Sequence, residues 1–149
     1  MIVAFDEDRG IGRGGSIPWN IPEDRHFFRK TTTWGGPPEN VLVVGSKTAA
    51  TLPPLDGRTV ITVSRQSGPS LEETLRDLQQ SSEHGRIWVI GGGEIYRECL
   101  EKDLVSYVYV THIPGRHGCD TFFPEFEDRF RCLYKGSLTE TVQRSVWVR

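Results

Sequence analysis

The sequence predicts an α/β protein with three layers, in which a mainly parallel central sheet carries helices on both faces and an antiparallel C-terminal edge strand. Three observations lead to this expectation. Short β-branched runs alternate with amphipathic helical patterns along the chain. Several of these runs are apolar throughout, as in strands that are covered on both faces. With 149 residues and no internal repeat, the chain is expected to form one domain, 1–149.

The predicted strands coincide with the densest apolar runs of the chain. Each run is rich in the β-branched residues that favour an extended backbone. The strands are expected at Ile2–Phe5, Asn40–Val44, Thr59–Ser64, Arg86–Ile90 and Val105–Ile113, with a further one around Val142–Val148. The C-terminal strand is expected to run antiparallel at an edge of the sheet.

The clearest helix start is Ser70, which forms a capping box with Glu73 and precedes Leu71, Leu75 and Leu78 at helical spacing. Similar patterns predict three more helices, and a segment rich in glycine and proline predicts a surface loop. The helices are expected at Glu23–Thr31 after Pro22, at Ser46–Leu52 and at Glu94–Lys102, and the loop at Trp34–Glu39.

Composition and charge exclude several classes of function. Lysine and arginine number 18 and aspartate and glutamate 20, and this net charge of −2 disfavours nucleic acid as the main partner. The three cysteines form no CxxC pair, which disfavours a zinc or other metal site. No apolar run approaches the roughly 20 residues of a membrane span, and the first residues lack a signal-peptide core. We therefore expect a cytoplasmic protein without a metal, membrane or nucleic-acid partner.

Two predicted strand-to-helix junctions carry glycine, one at Gly45–Thr48 and one at Gly91–Glu94. In open α/β sheets, ligands bind at these ends of the strands, and glycine lets the backbone approach a phosphate. Two such junctions suit a dinucleotide with its pyrophosphate, although tight turning alone would also explain them. Neither junction matches the GxGxxG or P-loop fingerprint, so an ordinary Rossmann domain and a P-loop NTPase are disfavoured.

The helix after Pro22 carries a carboxylate beside aromatic rings. Spacings of three and four residues place Asp24, Phe27, Phe28 and Thr31 on one stripe. A buried carboxylate needs strong hydrogen-bond donors, and the amidine-like edge of a flat heterocycle offers such donors while the rings pack against its faces. The alternative is an aspartate that faces water and is favoured by the helix dipole.

The segment before that helix has the composition of a mobile lid. Residues 10–19 contain four glycines together with Ile17 and Trp19, which give the segment apolar surface to bury. Such a segment can close over a site and exclude water. The alternative is an ordinary glycine-rich loop anchored by one tryptophan.

Taken in this order, the segments resemble dihydrofolate reductase of the bacterial or phage type. Each piece is weakly specific alone, whereas the ordered set, which extends from the first strand nearly to the last residue, is highly specific. The pieces that carry the resemblance are Ile11-Gly12, Ile17–Asp24, Phe28, Gly45 with Thr48, Leu55–Arg58, Ile90–Tyr96, Val110–Ile113 and Asp120–Pro124.

The resemblance implies NADPH-dependent reduction of 7,8-dihydrofolate to 5,6,7,8-tetrahydrofolate, by hydride transfer to C6 and protonation at N5. It implies dihydrofolate as substrate, antifolates such as trimethoprim or methotrexate as inhibitors, and a monomeric enzyme. Two other functions stay open at this point. One is the related reductase domain of riboflavin biosynthesis, and the other is a pterin- or nucleotide-binding module without catalysis.

The resemblance also implies the residues of a substrate site. Asp24 corresponds to the family's buried acid, which holds the pterin and assists protonation at N5, and Thr111 to the threonine linked to that acid. Arg58 corresponds to the arginine that grips the α-carboxylate of the glutamate tail. Ile17 and Trp19 complete the catalytic positions together with Asp24 and Thr111. The implied substrate-binding set is Ile2, Ala4, Asp24, Arg25, Phe28, Leu52, Arg58, Ile90, Tyr96 and Thr111.

The cofactor site follows from the same resemblance. The family has a cis peptide between the first two glycines of the second junction, here Gly91 and Gly92, and a loop acid that influences lid closure, here Asp120. The implied cofactor-binding set is Ala4, Ile11, Ile17, Gly45, Ser46, Lys47, Thr48, Ser64, Arg65, Ile90, Gly91, Gly92, Gly93, Glu94, Ile95 and Tyr96. Of this set, Lys47, Ser64 and Arg65 are expected to bind the 2′-phosphate of NADPH.

Two residues depart from the family pattern. Glu94 is an acid where bacterial members often have a basic residue, so its negative charge would repel an anion bound beside it. Arg25 stands where bacterial relatives commonly have an apolar residue that lines the substrate site. It either faces solvent or contacts the aminobenzoyl-glutamate part of the substrate.

Overall fold

Strands and helices alternate through the first two thirds of the chain, and the part after α4 contains strands and loops without a further helix. The computed structural model describes residues 1–149. The strands are β1 (Ile2–Phe5), β2 (Gly10–Gly12), β3 (Asn40–Gly45), β4 (Arg58–Val63), β5 (Ile87–Val89), β6 (Tyr107–His112), β7 (Thr121–Phe122), β8 (Arg131–Ser137) and β9 (Gln143–Val148). The helices are α1 (Pro22–Thr33), α2 (Ser46–Ala49), α3 (Leu71–Gln80) and α4 (Gly93–Glu101).

The strands pair in two larger groups and one short ribbon. Strands β4, β3 and β5 are parallel neighbours in that order. Strand β1 is parallel to β6, and β9 and β8 follow as antiparallel neighbours. The ribbon is formed by β2 and β7. The predicted parallel centre with an antiparallel C-terminal edge is therefore confirmed, although two strands rather than one form the antiparallel part.

Alternating side chains of the central strands build two apolar layers. Val41 and Val43 of β3 belong to the main core with residues of α3 and α4, such as Leu75 and Ile95. Leu42, which lies between the two valines, packs instead with residues of the α1 side. Because successive strand residues point to opposite faces, helices cover both faces of the sheet. This confirms the predicted three-layer α/β class.

Three strands have no apolar run that could have predicted them. Strand β8 has no buried residue and is held through its pairing with β9, so its sequence carries no hydrophobic alternation. Strands β2 and β7 are only three and two residues long, and they meet where Gly10 faces Phe122 and Gly12 faces Thr121. Pairing between distant segments, rather than local composition, determines these three elements.

Helix boundaries differ from the predictions by a few residues. Helix α2 ends at Ala49 instead of Leu52. Beyond it, the amides of Thr51 and Leu52 bond to carbonyls three residues earlier, so the segment continues as tighter turns before the two prolines. None of the four helices is long and apolar enough to cross a bilayer.

The capping box of α3 is present as predicted. The Ser70 hydroxyl accepts from the Glu73 amide at 3.1 Å, and the Ser70 amide donates to the Glu73 carboxylate at 3.3 Å. We expect Ser70→Ala to lower the free energy of unfolding by about 1 kcal/mol, since the first helical turn loses its side-chain acceptor. Urea denaturation measures the change, and Ser82→Ala, an exposed serine outside the cap, is the control. Equal stability of the two variants would contradict this role.

Candidate active site

Helix α1 places Asp24 on its partly buried side. Asp24 and Phe28 are half-buried, whereas Glu23, Arg25 and His26 between and beside them are exposed. The predicted stripe is therefore confirmed along the helix. The two rings of the stripe lie near different cations. The Phe28 ring lies 5.9 Å from the Arg58 guanidinium, and the Phe27 ring lies 5.2 Å from the Arg144 guanidinium. Arg25 is exposed, and its guanidinium donates to the side chain of Asn20.

Burial controls the electrostatics of Asp24. It raises the pKa of this carboxyl above the usual value, while Trp19, Thr111 and the charge of Arg25 oppose the shift. Thr111 is buried on β6. The indole Nε1 of Trp19 is buried beside the carboxylate and has no partner at hydrogen-bonding geometry. The site therefore combines a carboxyl that holds its proton more tightly than in water with a free donor next to it.

Strands β1 and β6 bring further predicted substrate residues to the same place. Their parallel register sets Ala4 opposite Thr111. The buried Tyr96 hydroxyl donates to the Ile2 carbonyl at 2.8 Å and links α4 to β1. Burial and the charge of Asp24 both raise the pKa of Tyr96, so this phenol stays neutral near the carboxyl. Ile90 follows β5, and its amide donates to Val43 at 3.0 Å.

The two glycine junctions lie side by side. The Gly45 amide donates to the Gly91 carbonyl at 2.8 Å. The peptide between Gly91 and Gly92 is cis, as the resemblance implied. A methyl group built on Gly92 would lie 2.5 Å from the Thr48 hydroxyl oxygen, so the backbone of one junction touches a side chain of the other. The two junctions therefore lie in direct contact, as a shared ligand would require.

The remaining predicted cofactor residues differ in how far their side chains are exposed to solvent. Ser46 and Lys47 are exposed at the start of α2, whereas Ile95 is buried in the core and packs against Gly45. Arg65 and Glu94 form an exposed ion pair with 3.7 Å between Nε and Oε2. The acid that departs from the family pattern is therefore paired with one of the expected phosphate ligands. Ser64 is half-buried and Gly93 begins α4.

The glycine-rich segment forms an exposed hairpin tip, in which Arg13 pairs with Ser16. Ile17 is 62% exposed. The Gly14 amide donates to the Asp120 carboxylate at 2.9 Å, and this bond lowers the pKa of Asp120. Ile11, in contrast, packs against the main core. The tip is thus tied to the β6–β7 loop through Asp120 while its apolar residue faces solvent.

Arg58 is a buried cation without an acidic partner in the protein. Its guanidinium donates to the Asp56 carbonyl at 3.1 and 3.2 Å and to the Thr32 hydroxyl at 3.1 Å. Burial and the neighbouring charge of Arg29 lower the pKa of Arg58. These bonds fix the plane of the guanidinium near Phe28. A planar carboxylate is the chemical group that such a fork binds best. Leu52, also predicted to bind substrate, is half-buried in the turn after α2.

Asp6 is a site residue that the sequence argument missed. Its carboxylate is buried at the base of the glycine-rich segment, where it accepts from the amides of Gly10 at 2.8 Å and His117 at 2.9 Å. Burial raises the pKa of Asp6, but these amides outweigh it and the pKa is lowered overall. The His117 ring packs edge-on against Trp19 at 5.3 Å. The run Asp-Glu-Asp-Arg-Gly before β2 carried the turn signal that could have indicated this anchor.

Comparison with known proteins identifies the family of this chain. The sequence model described as "Dihydrofolate reductase" matches residues 1–146. The chain is 34% identical to a Drosophila melanogaster protein named dihydrofolate reductase, over 88% of this chain and 81% of that protein. It is also 34% identical to the Schistosoma mansoni protein of the same name, over 85% of this chain and 78% of that protein.

A bifunctional dihydrofolate reductase-thymidylate synthase of Arabidopsis thaliana is 34% identical over 83% of this chain, which covers only 26% of that longer protein. These relatives are eukaryotic, so the expectation of a bacterial or phage type finds no support in them. The chain belongs to the dihydrofolate reductase family of oxidoreductases.

Proposed function

We propose that this protein reduces 7,8-dihydrofolate to 5,6,7,8-tetrahydrofolate with NADPH, as a monomeric cytoplasmic enzyme formed by the single domain 1–149. The observation that carries the proposal is the surroundings of Asp24. A half-buried carboxyl of raised pKa lies beside Thr111 and beside the free indole donor of Trp19. The family membership supports the reductase activity itself.

The substrate would bind with its pterin against α1 and β1. The Asp24 carboxyl would accept hydrogen bonds from the amidine-like edge of the ring, and as the acid of raised pKa in this site it would assist the protonation of N5. Phe28 packs against the substrate, and Arg58 binds the α-carboxylate of the glutamate tail through two parallel hydrogen bonds. Ile2, Ala4, Ile90 and Tyr96 line the same cleft. Arg25 would reach the aminobenzoyl-glutamate part only by leaving Asn20.

The two glycine junctions fit a dinucleotide cofactor. The contact between Gly92 and Thr48 leaves no space for a Cβ, and the amides of both junctions lie at one edge of the sheet. NADPH, when bound, supplies the hydride that reduces C6. Ser46, Thr48 and Gly93 hold the pyrophosphate, while Ile11 and Ile17 of the glycine-rich segment cover the nicotinamide and exclude water. Lys47, Ser64 and Arg65 bind the 2′-phosphate.

The direct test is a turnover assay with purified protein. We expect dihydrofolate to cause the loss of reduced-nicotinamide absorbance from NADPH, and methotrexate to stop it. Omission of dihydrofolate is the control. Bound NADPH without turnover would instead indicate a binding module, and turnover only with a ribosylamino-pyrimidine would indicate the riboflavin-type reductase.

Removal of the Arg58 fork should weaken substrate binding specifically. We expect Arg58→Lys to raise the KM for dihydrofolate by about tenfold or more with a small change in kcat, because a lysine cannot form the bidentate contact. Steady-state kinetics measure the split, and Arg29→Lys on exposed α1 surface is the matched control. An unchanged KM in a folded Arg58 variant would remove this residue from the substrate site.

Glu94 should tune the preference for NADPH over NADH. Because its carboxylate pairs with Arg65, we expect Glu94→Gln to free this guanidinium and to lower the KM for NADPH severalfold, with little effect on NADH. Arg65→Gln is expected to act in the opposite direction. Kinetics with both cofactors at low and high salt provide the measurement. Equal catalytic efficiency of the unmodified enzyme with NADH and NADPH would contradict the assigned 2′-phosphate ligands.

A further inference from the structure

A cavity lined in part by α1 contains none of the residues implied to bind substrate or cofactor. Its volume is about 770 Å³, and it opens between α1, the end of β8 and strands β5, β6 and β9. This volume falls within the range of about 300–1,000 Å³ that small-molecule sites occupy. Neither Asp24 nor any glycine of the two junctions lines it.

Aromatic rings form the inner part of this cavity. Trp88 is buried, and its indole meets the ring of Tyr109 at 5.0 Å in an edge-on arrangement. Phe27 of α1 adds a half-buried ring, and Trp34 at the end of the helix is 61% exposed. A flat apolar body can therefore pack against rings at the base and the rim of the same cavity.

The rim of the cavity is strongly cationic although the whole chain has a net charge of −2. Lys30, Arg86 and Arg144 line the cavity against one acid, Glu23, so the fixed charges are three positive and one negative. His26 is the other titratable group at the rim besides Tyr109. Positive charge concentrated in a partly apolar cavity attracts a complementary anion.

The guanidinium groups of Arg86 and Arg144 lie over aromatic rings and have no anionic partner in the protein. The Arg86 guanidinium lies 4.2 Å from the centre of the Trp34 ring. That of Arg144 lies 5.2 Å from Phe27 and 5.1 Å from Tyr134. Neither guanidinium forms an ion pair, and no side-chain hydrogen bond of either is present in the structure. Stacking covers the face of a guanidinium and leaves its N–H edge free to bind a carboxylate.

We propose that this cavity is a binding site for a small aromatic carboxylate. The ring of the ligand packs against Trp88, Tyr109 and Phe27, and its carboxylate accepts two parallel hydrogen bonds from Arg144, while Arg86 adds positive charge to the rim. Carboxylate is favoured over a simple spherical anion because the guanidinium edge is planar and the inner wall is aromatic. The proposal does not depend on the assignment of the reductase substrate, because no residue of the implied substrate or cofactor sets lines this cavity.

The four tryptophans of the chain allow a direct test with isophthalate as the probe. Trp34 and Trp88 line the cavity, Trp19 lies in the candidate active site, and Trp147 lies against Phe126. In ¹H–¹⁵N spectra of the full chain, we expect saturable shifts of the Trp34 and Trp88 indole signals while those of Trp19 and Trp147 stay in place. Shifts confined to Trp19 would place the probe in the active site and overturn the proposal.

Variants and related probes separate charge from ring packing. We expect Arg144→Leu to weaken isophthalate binding by about tenfold or more and Arg144→Lys to weaken it less. Arg76→Leu, an exposed arginine of α3 without an ion pair, is the control. Isophthalamide, which lacks charge, and glutarate, which lacks the ring, should both bind more weakly than isophthalate. Two results would exclude the proposed site. One is that glutarate binds as tightly as isophthalate. The other is that Arg144→Leu binds isophthalate as tightly as the unmodified protein while the Trp19 and Trp147 signals stay in place.

Discussion

Asp24→Asn is expected to reduce turnover at neutral pH by about a hundredfold or more, while NADPH binding stays nearly intact. The amide keeps the shape of the carboxyl but cannot hold the proton that is needed near N5, and positioned acid–base groups contribute this order of rate. The glycine junctions that we propose to hold the cofactor contain no atom of Asp24. Turnover and NADPH titration on the same preparation measure the two effects separately.

The pH dependence of this variant follows from the protonation of the free substrate. We expect the loss to shrink as the pH falls, because free dihydrofolate then becomes protonated in solution and no longer needs the side chain. Glu23→Gln, which removes the neighbouring exposed acid of α1, is the matched control and should behave like the unmodified enzyme. Turnover of Asp24→Asn equal to that control at neutral pH would exclude Asp24 from the mechanism.

The same variant should be more stable than the unmodified protein at neutral pH. Since burial raises the pKa of Asp24 above its unfolded value of 3.8, the folded state binds this proton more tightly than the unfolded state. The associated stability is fully present below that value and is lost as the pH rises through the folded pKa. Thermal unfolding at neutral and acidic pH therefore gives a second readout, independent of activity.

Gly92→Ala is expected to disrupt the contact between the two glycine junctions. The added Cβ would lie 2.5 Å from the Thr48 hydroxyl oxygen, a separation that requires the Thr48 side chain or the backbone of Gly92 to shift. We expect a loss of about 1–3 kcal/mol in the free energy of unfolding, as for other overpacked positions, and at least about tenfold weaker NADPH binding. Urea denaturation and NADPH titration test the two parts of this expectation.

Thr48→Ala provides the control for the Gly92 variant. It removes the clashing oxygen and leaves the Thr48 Cβ position, which lies 3.9 Å from the added methyl group. The double variant should therefore recover most of the lost stability, so the two substitutions would be strongly non-additive. Its NADPH affinity is expected to stay reduced, because Thr48 itself is assigned to the cofactor. Additive stability losses would show that the steric explanation is wrong.

Local patterns were sufficient for the parts of this protein that are stabilised by neighbouring residues. The capping box at Ser70 and the continuous apolar run of β3 each predicted an element within one or a few residues of its observed bounds. The half-buried stripe of α1 also follows from helical spacing alone. In these cases the signal lies within one helix or strand, where spacing decides which side chains share a face.

Other features depend on contacts between segments that are far apart in the sequence. Asp6 became recognisable as an anchor only when its carboxylate met the His117 amide across 111 positions of the chain. Strand β8 has no buried residue and exists through its pairing with β9. The rings of Phe27 and Phe28 lie against different cations, Arg144 and Arg58, and the sequence does not reveal these partners.

The sequence by itself determined the α/β class, the positions of the main strands and helices, and the ordered motifs that identify the family. Tertiary structure alone decided that Gly92 touches Thr48, that Glu94 pairs with Arg65, and that a cationic cavity forms behind α1. The physical reason is the range of the interactions. Backbone preference and side-chain periodicity act within a few residues, whereas burial, ion pairing and cavity shape depend on packing between distant parts of the chain.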